Sequence, residues 1–145
     1  MVTEEEMQAL VGHRLPEGTV TIEHWEAALT AETAAVPPLA DGIAHPVSLF
    51  HVPLNGVGMR IADFFVLFKA DSDEAVRAGE FHWRFSRALR EGVPYRASGE
   101  VVSAERKESR KLGTMDLVTF RIDLHDEGDG GHVASASYTW LLLRA

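Results

Sequence analysis

Apolar and polar positions alternate with two different periods along this chain, and the change falls near residue 80. In the first part, Trp25, Ala28, Leu29 and Glu32 lie at i, i+3, i+4 and i+7. That spacing predicts a helix with one mostly apolar face. Thr21 can cap it, and Val36-Pro37-Pro38 ends it, because a residue before proline avoids helical backbone. Val57, Ile61, Phe64, Phe65 and Phe68 also fall at helical spacing, with Val66 and Leu67 broadening the face. A helix this apolar must be wrapped by other structure. Pro53 and Asn55-Gly56-Val57-Gly58 predict a kink or break before it. Thr3 and Glu6 stand at capping-box spacing with Gly12 as a stop signal, so a short helix over about residues 4–11 is expected. Arg14–Val20, holding Pro16 and Gly18, reads as a turn or short edge strand.

In the second part the period is two. Phe81, Trp83 and Phe85 alternate with polar neighbours, as do Tyr95, Ala97, Gly99 and Val101. The pattern slips at Val101-Val102, which predicts a bulge. Val118, Phe120, Ile122 and Leu124 share a third strand face, and Ala134, Ala136, Tyr138, Trp140 and Leu142 a fourth. Asp126–Gly131, rich in glycine and acid, is a turn. Helices followed by strands indicate an α+β fold. The gaps after residue 90 are too short for parallel crossovers, so the sheet is expected to be antiparallel.

Composition narrows the reading. A chain of 145 residues fits one domain. Its longest strongly apolar stretch is broken by Arg60 and Asp63 and is too short to span a bilayer, and the acidic start Met1–Glu6 lacks an apolar signal core. The expectation is a cytoplasmic protein with no membrane partner. There is no cysteine, which excludes disulfides, thiolate metal sites and a cysteine nucleophile. A formal net charge of -8 disfavours nucleic acid, whose phosphates call for an excess of Lys and Arg.

Several segments, in order, carry a resemblance. Val11-Gly12 through Thr21-Ile22-Glu23-His24-Trp25 looks like an opening strand and first helix. Gly79-Glu80-Phe81-His82-Trp83-Arg84-Phe85 and the turn Arg87-Ala88-Leu89-Arg90-Glu91-Gly92 follow, then the strands Tyr95–Glu105, Met115–Leu124 and Val133–Leu143. Together they resemble the MaoC-like hot-dog hydratases and dehydratases, above all the usually non-catalytic N-terminal halves of double hot-dog enzymes and the accessory subunits of two-chain ones. The resemblance implies a single hot-dog domain over 1–145, an antiparallel sheet wrapped around a long apolar central helix. It also implies an acyl thioester ligand, on coenzyme A or an acyl carrier protein, and pairing with itself or with a second hot-dog chain. No cofactor and no metal are implied.

In active members of that family an Asp and a His activate or remove water, and a glycine N–H at the start of the central helix polarises the thioester carbonyl. The corresponding turn typically reads Ala-His-Gly-Met. Here Ile43-Ala44-His45-Pro46-Val47 stands in its place, and no Asp-x-Asn-Pro-x-His stretch occurs. Proline has no N–H, so that donor is absent. An accessory, non-catalytic subunit is therefore the first expectation. The alternatives are a self-sufficient dehydratase or thioesterase-like enzyme built on His45, with an acid such as Asp41, Asp63 or Glu80, and a module that only binds an acyl or polyketide ligand.

Candidate site residues follow from their chemistry. His45 is the candidate acid–base or carbonyl-donating group, set against a plain capping role. His51, Asn55, Gly56 and Gly58 are candidates for contact with an acyl or pantetheine chain, set against an interface histidine and a helix kink. Arg106, Lys107, Arg110 and Lys111 form the one basic cluster, which could meet coenzyme A phosphates or an acidic carrier, or simply be a solvated strand end.

Overall fold

The computed structural model describes residues 1–145. Five strands form one antiparallel sheet: β1 (Arg14–Thr21), β2 (Val76–Phe85), β3 (Pro94–Ser109), β4 (Gly113–Asp126) and β5 (His132–Leu143). Their order across the sheet is β1-β3-β4-β5-β2, which leaves β1 and β2 as edges. Alternation places Tyr95, Ala97 and Val101 of β3, Val118, Phe120, Ile122 and Leu124 of β4, and Ala134, Ala136, Tyr138 and Leu142 of β5 in the core. The slip at Val102 is a bulge: Val101 pairs with Phe120 and Ser103 with Thr119, so Val102 has no partner. Asp126–Gly131 turns the chain from β4 into β5, as expected.

Helical segments cover the inner face of the sheet. These are α1 (Glu4–Gln8), α2 (His24–Thr33), a 3-10 helix Pro46–Phe50, α3 (Val52–Gly56) and α4 (Ile61–Leu67). Thr3 and Glu6 make the expected capping box, with Glu6 N–H on Thr3 Oγ1 at 3.2 Å and Thr3 N–H on Glu6 Oε2 at 2.8 Å. On the inner face the Phe64 ring stacks on Phe120 with centroids 5.0 Å apart, and Phe68 also meets Phe120. The Tyr138 hydroxyl reaches the carbonyls of Leu49 and Phe50 at 3.3 and 2.9 Å. That buried phenol ties the 3-10 helix to the middle of β5, and burial pushes its pKa well above the ordinary tyrosine value.

Two expectations for the helical part need correction. The break expected at Asn55–Gly58 is present, but the helix after it is the short Ile61–Leu67 instead of a long central one. After α3 the chain is extended at Val57, and a new helix starts at Ile61. The break falls where β1 crosses: Gly56 faces Gly18 with no room for a Cβ on either, and Gly58 N–H donates to the Pro16 carbonyl at 3.0 Å. Arg60 and Asp63 then start α4 through a side-chain to backbone hydrogen bond of 2.8 Å. The second correction concerns the face of α2. Its buried residues are Ala27 and Ala31, whereas Trp25 and Leu29 are 64% and 54% exposed. Small side chains at i and i+4 let the helix lie close to the protein, and the larger apolar stripe points away. Glu23, with Glu26, begins this helix, since Thr21 is still in β1.

A buried ionic clasp closes the far end. Asp116 accepts from Arg106 Nε at 2.8 Å and from Arg144 Nε at 2.8 Å. Arg144 also donates to the carbonyls of Lys69 and Phe68, and Arg106 to that of Val2. Burial pushes the Asp116 carboxyl up, but hydrogen bonds from Arg106 and Arg144 outweigh it and hold the group below the ordinary carboxylate value.

Replacing Phe64, which is fully buried, with Ala should cost about 3–5 kcal/mol. Phe65→Ala, at a half-buried position, should cost clearly less. Urea unfolding of the two variants measures the difference. Asp116 has a folded pKa below its unfolded value, so its contribution is present above about pH 4 and is lost as pH falls through the folded value. Asp116→Asn should lose stability at neutral pH and flatten the acid limb below about pH 4, read from unfolding midpoints across a pH series.

Candidate functional site

The start of the 3-10 helix is where an acyl-thioester site would lie by resemblance, and its hydrogen bonds are already used. Pro46 has no N–H. The next N–H, of Val47, donates to His45 Nδ1 at 3.1 Å, and that of Ser48 to the His45 carbonyl at 2.9 Å. His45 therefore acts as the cap. With Nδ1 accepting, the proton of its neutral ring sits on Nε2.

His45 also lines a cavity of about 290 Å³ between α2 and the Pro38–Ile43 segment. The same cavity holds His24 and Glu91, joined by a 2.9 Å contact between His24 Nδ1 and Glu91 Oε1. Of the acids named as companions for His45, Asp63 pairs with Arg60 and Glu80 with His82, while Asp41 meets Arg90 only through its backbone carbonyl. Glu91 is the acid that the fold brings to the His45 cavity.

The other candidates are scattered. His51 is exposed beside Leu29, Val47 and Phe50, lining a separate apolar groove of about 430 Å³. Asn55 is exposed at the end of α3. Gly56 is packed against Val20 and Ala97, and Gly58 against Pro16, so both serve the close approach of β1. Arg106 is held in the Asp116 clasp, and Lys107 pairs with Glu105 at 3.6 Å. Arg110 and Lys111 lie at the β3–β4 turn and form no ion pair. The structure brings His45 together with His24 and Glu91. It does not bring the basic cluster or the glycines to that cavity.

A second feature is a row of exposed apolar groups ending on an open sheet edge. Phe50 meets Phe81 with ring centroids 5.2 Å apart, and Phe81 meets Trp83 at 5.7 Å. Trp83 and Phe50 are about half exposed, and Leu29 and Val47 stand nearby. β2 pairs only with β5, so its other edge is free.

No protein-family model matches this sequence, and no curated protein does. Solved structures do match. The monoamine oxidase regulatory protein from Archaeoglobus fulgius is 22% identical over 99% of this chain and 95% of its own, with a TM-score of 0.67. The MaoC-like dehydratase from Phytophthora Capsici is 14% identical, with a TM-score of 0.67; this chain is covered to 99% and spans 50% of that one. The HadBC (3R-hydroxyacyl-ACP dehydratase) complex from Mycobacterium tuberculosis is 14% identical over 91% of this chain and 96% of its own, with a TM-score of 0.65. The chain has the hot-dog fold of the MaoC-like dehydratases.

His24 and Glu91 went unnoticed in the sequence, and nothing local marks them. They are 67 residues apart and meet only because the turn after β2 folds back onto α2. Replacing His45 with Ala should remove the Val47 cap and cost about 0.5–2 kcal/mol, while His45→Asn, which keeps a side-chain acceptor, should recover most of it. Thermal unfolding of the two variants decides between them.

Proposed function

We propose that this chain is the accessory subunit of a two-chain hot-dog (R)-specific enoyl-thioester hydratase or 3-hydroxyacyl-thioester dehydratase. Residues 1–145 act as one hot-dog unit, shape the acyl site, and leave the acid–base pair to a partner chain of the same fold. The observation that carries this reading is the closed helix start: Pro46 offers no N–H, and those of Val47 and Ser48 are both bonded to His45. An oxyanion needs donors that are free and preorganised. The free β2 edge and the Phe50–Phe81–Trp83 row support pairing, because an open apolar edge strand calls for cover. The HadBC (3R-hydroxyacyl-ACP dehydratase) complex, a protein of similar fold that pairs with another chain, supports the same reading. The ligand is an acyl thioester on coenzyme A or an acyl carrier protein, handled in the cytoplasm. No helix is long and apolar enough to cross a membrane. Adding or removing water needs neither a redox cofactor nor a metal.

The cavity shared by His45, His24 and Glu91 favours a second reading. There the chain is an enzyme in its own right, with His45 acting on the acyl group and Glu91 paired to a second histidine.

The isolated chain should hydrate crotonyl-CoA very slowly. Loss of an oxyanion donor lowers a rate by about a hundred- to a thousand-fold, and loss of an acid–base pair by about a further hundred-fold. Activity should appear when a co-purifying hot-dog chain carrying an Asp-His pair is added, and should survive His45→Ala. Full turnover by the chain alone, abolished by His45→Ala, would establish the second reading. Sedimentation should show no stable monomer at micromolar concentration.

A further inference from the structure

The face of the sheet away from the helices carries a hydrogen-bond chain that the proposed function does not use. Cross-strand register sets it up. Arg84 of β2 faces Ser135 of β5, which faces Asp123 of β4; His82, Ser137 and Arg121 form the next row. Short serines on the middle strand, between long side chains on both neighbours, leave a polar trough of about 490 Å³. At one end of the trough stands His132, and just past the end of β2 stands Ser86.

The distances join four side chains in series. Ser86 Oγ lies 2.6 Å from His132 Nδ1, His132 Nε2 lies 2.8 Å from Ser135 Oγ, and Ser135 Oγ lies 2.5 Å from Asp123 Oδ1. The direction of the chain follows from what each group can do. A carboxylate only accepts, so Ser135 donates to Asp123. A hydroxyl has one hydrogen, so Ser135 must accept from His132 Nε2–H. His132 Nδ1 then carries the lone pair and accepts from the Ser86 hydroxyl. Arg121 bonds the other Asp123 oxygen at 3.3 Å and is itself held by Glu100 at 3.0 Å. Ser86 is exposed, and its own N–H is tied to the Val133 carbonyl, which fixes the backbone that presents Oγ.

We propose that Ser86 is a nucleophile activated by His132, and that the trough beside it receives an activated acyl group, an ester or thioester, for transfer to Ser86 Oγ. In that step the Oγ–C bond forms while the Ser86 proton passes to His132 Nδ1. The bond to the leaving alcohol or thiol then breaks, and that group takes the proton from His132. Water, deprotonated by the same imidazole, releases the acid from the acyl-serine and restores both groups. Ser135 and Asp123 are positioning residues: they fix the ring tautomer and favour the imidazolium. Arg84, on the trough wall with no acidic partner, is the cation available to the oxygen that becomes negative. The site lies on the opposite face from the His45 cavity and does not depend on the accessory role.

The test uses the intact chain and a fluorophosphonate probe. The serine oxygen displaces fluoride from phosphorus, and peptide mass spectrometry locates the label; hydrolysis of p-nitrophenyl acetate is followed alongside. Ser86 should be the labelled residue, and Ser86→Ala should abolish both signals. His132→Ala should slow labelling by about a hundred-fold or more. Around the trough the charged or titratable groups are His82 and Arg84 on β2, Arg121, Asp123 and His125 on β4, and Arg87 with Asp126 and Asp129 nearby. Asp123→Asn should lower the maximal rate of p-nitrophenyl acetate hydrolysis with little change in KM, and Asp123→Glu should recover part of it, a split a merely structural role would not produce. Absence of label on Ser86 in the wild-type chain would overturn the proposal, whatever the variants do. So would labelling at an undiminished rate in His132→Ala protein that retains its melting curve.

Discussion

A carboxylate shut away from water must keep its cations, and Asp116 imposes that condition on this fold. Its side chain is only 1% exposed, and it sits between Arg106 and Arg144. Losing either partner would leave a buried charge uncompensated, which costs far more than an exposed pair is worth. The two arginines reach outward from that point. Arg144 holds the end of α4 through the carbonyls of Phe68 and Lys69, and Arg106 holds the first residues through Val2. The start of the chain, the end of α4 and three strands are thus joined at one place. Because α4 is short, this anchorage, with the Phe64–Phe120 stack, sets where it lies on the sheet.

The sheet was legible in the sequence because one face of each inner strand is shut against the core. Val118, Phe120, Ile122 and Leu124 had to share a side, and even the unpaired Val102 showed as a slip in the alternation. The helical part was less legible because short helices are positioned by contacts, not by propensity. The break that Pro53 and Asn55–Gly58 predicted is present, but the crossing of β1 at Gly18 and Gly56 extends it to Arg60, so the helix carrying Phe64 is shorter than its periodicity suggested. In α2 the larger apolar residues looked like the buried face. The two alanines won because only they allow close packing.

The site divides in the same way. His45 and Pro46 could be singled out from neighbouring residues alone, and the capping bond to Val47 is local geometry. His24 with Glu91, and Ser86 with His132, are products of tertiary folding, 67 and 46 residues apart in sequence. No periodicity or spacing encodes such meetings. The basic cluster misled for a related reason. A run of Arg and Lys does not reveal that a buried Asp ten residues further on claims one of them.

The apolar row from Leu29 and Val47 to Phe50, Phe81 and Trp83 has a consequence for how the chain behaves in the test tube. A surface of that kind is kept in solution by charge, and here the formal charge is -8 with an isoelectric point near 5.3. Mildly acidic buffers remove that repulsion while leaving the row uncovered. Salting-out anions such as sulfate strengthen the attraction between such rows. Purification of the lone chain therefore calls for pH well above 5.3 and modest ionic strength, and crystals grown from ammonium sulfate would favour contacts through this row.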